Sequence, residues 1–169
     1  MIIRVRRRIR ALLVRLAPRW LRYLYPTPKL DVRAVVFRNG ELLLVRESGD
    51  GRWSLPGGWI DLGDSLGGAA AREVREESGY AVRSVKLLSV SNIDRTRDGR
   101  RMRVNVFRLF VRCELGPQAT ESIQGAETTE ARFFGAGDLP ELSPGRCTPT
   151  EMERIFEHYR DPGRPADFD

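Results

Sequence analysis

Apolar residues recur at Ile2, Val5, Ile9, Leu12, Leu13, Leu16 and Trp20, with arginines between them. Steps of three and four residues put these positions on one helical face, so the spacing predicts an amphipathic helix over residues 2–25, interrupted near Pro18. Pro26, Thr27 and Pro28 then form a stiff break, and the period changes after it. Residues 31–38 alternate and are rich in valine, and residues 41–46 read as the returning strand. Asn39-Gly40 between them is the pair a type I′ hairpin turn demands, because both central residues must accept positive φ. Residues 48–51 read as a loop, and residues 53–55 lead into Pro56-Gly57-Gly58, where paired glycines allow close approach of backbone to a ligand.

From Ser65, a candidate N-cap, to Ser78 the pattern turns helical, and Gly79 marks the stop. Leu66, Ala69, Ala70 and Val74 give this helix a small apolar face suited to packing on a sheet. Two long strand candidates follow at 82–93 and 103–114, around a charged tip at 95–101. Residues 131–134 read as a short strand and 148–159 as a closing helix. The order β-β-α-β-β-β-α predicts an α/β body with a mixed sheet and a helix on either side. No run of 18 apolar residues, internal repeat or low-complexity segment is present.

Charge divides the chain in two. The net charge is +6, yet residues 1–30 hold eight arginines and Lys29 with no acid, so the remainder is slightly acidic. The expected organisation is a basic amphipathic helical extension over 1–28 and a single enzyme-sized domain over 29–169. The basic arm has three open readings: packing on the domain or on a second subunit, lying on an anionic membrane surface, or contacting nucleic-acid phosphates without sequence preference. Cys113 and Cys147 lie far apart and form no metal-type pair, which fits a reducing cytoplasm. His158 is the only histidine, so chemistry built on several histidines is excluded, and a lone helix-borne histidine is more often packing or surface than a base.

The most specific segment is 58–80, GWIDLGDSLGGAAAREVREESGY. On a helix Glu73 shares a face with Glu76 and Glu77, at i+3 and i+4. Carboxylates this close repel unless a cation sits among them, and a hard oxygen-seeking ion, Mg²⁺ or Mn²⁺, suits the donors. The bland alternative is a solvated helix face laced with i,i+4 ion pairs.

These residues resemble the Nudix box, in which a glycine, an acid, Arg-Glu, Glu-Glu and a closing glycine stand at fixed spacing. Gly58, Arg72-Glu73-Val74, Glu76-Glu77 and Gly79 fit; Asp64 replaces the first glutamate and Tyr80 the usual final aliphatic residue. Leu55-Pro56-Gly57, Phe133-Phe134, Asp138-Leu139-Pro140, Phe156-Glu157-His158 and the Asp-Phe-Asp ending are similar to bacterial ADP-ribose pyrophosphatases with a short N-terminal helical extension. The resemblance implies an α/β/α sandwich that hydrolyses the pyrophosphate of a nucleoside diphosphate linked to another moiety, ADP-ribose-like or CDP-choline-like. It implies Mg²⁺ or Mn²⁺ held by Glu73, Glu76, Glu77 and the Gly57 carbonyl, with Arg72 orienting a carboxylate and Asp64 supporting the loop–helix junction. It also implies a further glutamate outside the box as base or ligand: Glu127 is favoured, with Glu130 and Glu121 as alternatives. Arg46 and Trp53, with Arg33 and Arg52, are candidate substrate contacts, each with a surface or core reading beside it. A homodimer is expected by resemblance alone. The rival functions are a pyrophosphatase for oxidised nucleoside triphosphates and a non-catalytic nucleotide sensor.

Overall fold

The computed structural model describes residues 28–95, 101–119 and 127–168. The expected helical extension and Glu121 lie outside the described residues. The strands are β1 (Lys29–Arg38), β2 (Glu41–Glu47), β3 (Trp53–Ser54), β4 (Gly57–Trp59), β5 (Tyr80–Arg95), β6 (Arg101–Ala119), β7 (Thr128–Phe134) and β8 (Asp167–Phe168); the helices are α1 (Leu66–Ser78) and α2 (Pro149–Arg160). Among the described residues no helix is long and apolar enough to cross a membrane.

The strands run β3-β2-β1-β6-β5-β8, with β4 added on β1 and β7 on β2. β1 joins the two halves. Along most of its length it lies parallel to β6, from Lys29 opposite Val106 to Val36 opposite Cys113. Only its last residues, Phe37 and Arg38, pair with β2, across a turn in which Asn39 (φ 53°) and Gly40 (φ 88°) both take the positive φ that the sequence demands. β1 and β2 alternate between two cores. Val32, Ala34, Val36 and Leu43 face Ala69, Ala70 and Val74 of α1. Val35, Leu42 and Leu44 face Met152, Ile155 and Phe156 of α2. The mixed-sheet α/β/α sandwich is therefore as expected. The short β3, β4 and β8 are additions that no periodicity in two or three residues could announce.

Both helices start where their local chemistry says. Ser65 accepts a hydrogen bond from the Gly68 N–H, and Gly79 (φ 76°) ends α1 in the left-handed conformation. Thr148 and Glu151 form a reciprocal capping box at the start of α2, with Pro149 in its first turn. His158 is buried on α2, its Nε2 3.1 Å from Asp167 Oδ2, so it ties β8 to the helix and stands apart from the acidic segment.

Cys113 and Cys147 are free and buried. Burial raises both thiols, Cys147 up to about 11. We predict that iodoacetamide at pH 8 labels neither in the folded protein and both after unfolding in urea, because only the thiolate reacts. A thiol raised in the folded state keeps its proton longer than in the unfolded chain. Cys147 should therefore cost stability as pH climbs from about 9 to about 11.

Candidate functional site

The site grows from the bend between β3 and β4. A Cβ on Gly57 would lie 2.0 Å from the Val32 carbonyl oxygen, and the residue holds φ at 154°, so only glycine passes this close to β1. A Cβ on Gly58 would meet Glu73 Oε1 at 2.8 Å, so the missing side chain is the space in which that carboxylate lies. Gly57→Ala is expected to destabilise the fold by about 3 kcal/mol or more, read from the urea midpoint, because the obstacle is backbone rather than a yielding side chain.

The Gly57 peptide is gripped at both ends. Its N–H donates to Glu77 Oε2 (2.8 Å), and its carbonyl accepts from Arg33 Nη1 (3.0 Å). Glu77 is only 6 % exposed. Burial pushes its carboxyl up to about 8, against the Gly57 amide and the Arg33 guanidinium, which pull it down. Arg33 is itself buried and pairs with Asp31 (2.9 Å), which also takes a hydrogen bond from Arg108 Nε (2.7 Å). Arg108 in turn donates to the Gly145 carbonyl (2.9 Å) and pairs with Glu151 of α2 (3.4 Å).

Arg72 fans across the outer side of the site. Nη1 lies 2.8 Å from Glu73 Oε1 and 3.3 Å from Glu76 Oε2, while Nη2 reaches the Trp59 carbonyl (3.2 Å) and Asp64 Oδ2 (3.4 Å). Burial raises the Glu73 carboxyl, and Arg72 opposes it. Among the described residues no three His, Cys, Asp or Glu side chains converge as a metal cage. The reason is visible in the partners. Arg72 spans Glu73 and Glu76, and Glu77 turns in to the Gly57 amide.

The donors nonetheless suit a hard divalent ion. Glu73, Glu76 and Glu77 share one face of α1, and Gly58 leaves Glu73 its room. The Gly57 carbonyl, expected as a further ligand, accepts from the Arg33 cation with one of its two lone pairs and keeps the other for a metal ion.

The other expected residues separate clearly. The Glu127 carbonyl accepts from the Ser48 N–H (2.8 Å), and the neighbouring Thr128 Oγ1 donates to the Glu77 carbonyl (2.9 Å), so the backbone places an exposed Glu127 beside the end of α1. Glu130 instead pairs with Arg46 across on β2 (3.8 Å) and with Arg132 on its own strand, β7. Arg46 keeps step with Leu42 and Leu44, which face α2, and its Nε donates to the Gly51 carbonyl (2.8 Å). Arg52 pairs with Glu141 (2.8 Å). Trp53 is 9 % exposed and packs edge-on against Phe134, with centroids 4.8 Å apart. Its ring is core, not a platform for a base, because pairing of β3 with β2 turns it inward.

Sequence reasoning missed Glu47, only 4 % exposed, which accepts from Ser54 Oγ (2.5 Å) and pairs with Arg146 (3.2 Å). A carboxylate in step with Leu43 and Val45 was the available signal. Asp31 and Arg108 escaped for another reason: they meet across 77 positions of the chain, and Arg33, expected as a substrate contact, is buried between Asp31 and the Gly57 carbonyl.

Comparison with known proteins adds a consistent picture. A family model described as the NUDIX domain matches residues 27–152. The chain is 39% identical over 145 residues to Bacillus subtilis (strain 168) YjhB, which bears ADP-ribose pyrophosphatase as a provisional name, covering 86% of this chain and 68% of that one. It superposes on the crystal structure of a Streptococcus suis ADP-ribose pyrophosphatase with a TM-score of 0.71 at 33% identity, covering 85% of this chain and 100% of that one. A structure described as a UDP-X diphosphatase gives a TM-score of 0.74 at 26% identity, covering 96% of this chain and 74% of that one.

Proposed function

The chain belongs to the Nudix family of pyrophosphohydrolases, and on that premise we propose that it hydrolyses a nucleoside diphosphate joined to a sugar or a choline-like group. ADP-ribose leads, because that activity is named for the relatives similar over most of the chain. The products would be a nucleoside monophosphate and a phosphorylated remainder. The observation that carries the reading is the set of Glu73, Glu76 and Glu77 on one face of α1, against the Gly57-Gly58 bend.

Glu73, Glu76 and Glu77 are the residues that would hold Mg²⁺ or Mn²⁺, which when bound would neutralise phosphate oxygens and lower the pKa of a coordinated water. Arg72 holds Glu73 and Glu76 in place while Asp64 and the Trp59 carbonyl hold Arg72. In this reading Glu127, exposed beside the end of α1, takes the proton of the attacking water. Arg46 remains a candidate contact at the rim of the site, with an exposed guanidinium.

The test is turnover of a panel of ADP-ribose, CDP-choline, a UDP-sugar, NADH, and canonical and oxidised triphosphates, with and without EDTA, followed by product analysis. We expect cleavage of one diphosphate derivative that stops in EDTA and returns with Mg²⁺ or Mn²⁺. Preference for an oxidised triphosphate would move the enzyme to the other substrate class. Nucleotide binding without cleavage would leave the sensor reading standing instead.

A further inference from the structure

The end of the sandwich that holds Gly57 and Glu77 has a second wall, formed by the turn ahead of α2. Ser143 Oγ donates to Asp50 Oδ2 (2.8 Å), and the Ser143 N–H donates to the Trp53 carbonyl (2.7 Å), so this turn is fastened to the segment that leads into the Gly57 bend. Arg146 stands on it, its Nη1 3.2 Å from Glu47 Oε1. Glu47 lies opposite Thr128 in the β2–β7 pairing, and Thr128 is the residue that reaches the carbonyl of Glu77. Three links, Arg146 to Glu47, Glu47 to Thr128 and Thr128 to Glu77, therefore connect Arg146 to the acidic helix.

The pair is lopsided. Glu47 is sealed in the sandwich, whereas the Arg146 side chain is 37 % exposed. A buried carboxylate demands charged or hydrogen-bonding partners, and Glu47 Oε1 has both Ser54 Oγ and Arg146 Nη1. A guanidinium carries five donors in a planar fork. Glu47 engages one nitrogen, and among the described residues Arg146 has no other side-chain partner. The other arginines nearby are committed: Arg33 and Arg108 are buried with their forks in use, Arg46 reaches Gly51 and Glu130, and Arg52 pairs with Glu141.

We propose that Arg146 is a substrate-binding residue: Glu47 fixes one edge of its guanidinium, and the free edge meets the phosphate oxygens of the nucleoside diphosphate across from the acidic helix. The assignment rests on the pyrophosphatase reading for the identity of the substrate. It explains why a carboxylate is buried close to Glu77, where another negative charge is otherwise unwelcome. A flexible surface arginine would lose side-chain freedom on meeting a phosphate; one already pinned by Glu47 has less to lose. The same geometry also has a purely structural reading, a pin that locks the turn to β2, and the two differ in what they move.

The experiment compares the wild type with Arg146→Gln and Arg146→Lys in three readouts: calorimetric affinity for inorganic pyrophosphate in Mg²⁺ buffer, KM and kcat on whichever panel nucleotide is cleaved, and the melting temperature. Arg146→Gln should weaken pyrophosphate binding about 10- to 100-fold, as loss of a charge-assisted contact does. KM should rise by a similar factor while kcat stays within about threefold. The lysine, keeping the charge without the fork, should recover part of the affinity. Glu47→Gln, of equal shape and no charge, should reproduce part of the loss by releasing Arg146. A lowered melting temperature with unchanged affinity and KM would make Arg146 a pin and overturn the proposal, as would a wild type with no affinity for pyrophosphate. Should the wild type cleave nothing and yet bind pyrophosphate through Arg146, the contact stands and the pyrophosphatase reading falls.

Discussion

Glu77→Gln is expected to leave the protein folded and to reduce turnover on the order of a thousandfold, the loss that follows when charge stabilisation at a transferring phosphoryl group is removed. Glutamine matches glutamate in size, and its amide oxygen can still accept from the Gly57 N–H, the 2.8 Å contact that Glu77 makes here. The substitution also removes a charge that burial penalises, so the melting temperature without divalent ions should hold or rise. What is lost is a hard anionic donor on the proposed metal-binding face of α1. The two readouts therefore diverge: circular dichroism and melting stay near wild type, while kcat collapses at every Mg²⁺ concentration. Retention of more than a tenth of the wild-type kcat would show that the acidic face does not work as a unit. An unfolded variant would place Glu77 among residues that only shape the bend.

How much of this was readable in advance depends on the distance over which each signal acts. The Asn39-Gly40 turn, the Ser65 cap and the Gly79 stop declare themselves because each is decided by a residue's own φ or by a neighbour three positions away. The spacing of Glu73, Glu76 and Glu77 is legible for the same reason: one helix sets it. Trp53 stays open in sequence between a substrate contact and a core aromatic, and only a two-residue pairing with β2 and the ring of Phe134 send it to the core. The Arg33 contact to the Gly57 carbonyl could not be read in advance, since the two are 24 residues apart on different strands. Glu47 and Arg146 lie 99 positions apart, and nothing short of the fold brings them together.

The second large effect concerns stability, and it follows from the longest of these non-local chains. Asp31 stands between two buried guanidinium groups, 2.9 Å from Arg33 and 2.7 Å from Arg108. Asp31→Ala would leave both cations in the sandwich without their shared anion. Breaking a buried pair by removing one partner costs about 3–5 kcal/mol, because the remaining charge keeps its desolvation penalty and loses its compensation. For a domain of this size that corresponds to a fall of about 10–15 °C in melting temperature. Asp31→Asn, which keeps a polar acceptor of the same shape, should lose less. As a control, removing the exposed Arg83–Glu114 pair, though its 2.6 Å contact is the shorter one, should leave the midpoint nearly unchanged, since water already solvates both partners. Thermal and urea denaturation of the three variants would decide it, and a fall of less than 3 °C for Asp31→Ala would refute a dominant role for the chain. Because Arg33 is also the group that holds the Gly57 carbonyl, the same substitution should reach the site: kcat measured well below the melting temperature should fall for Asp31→Ala and stay level for the surface control.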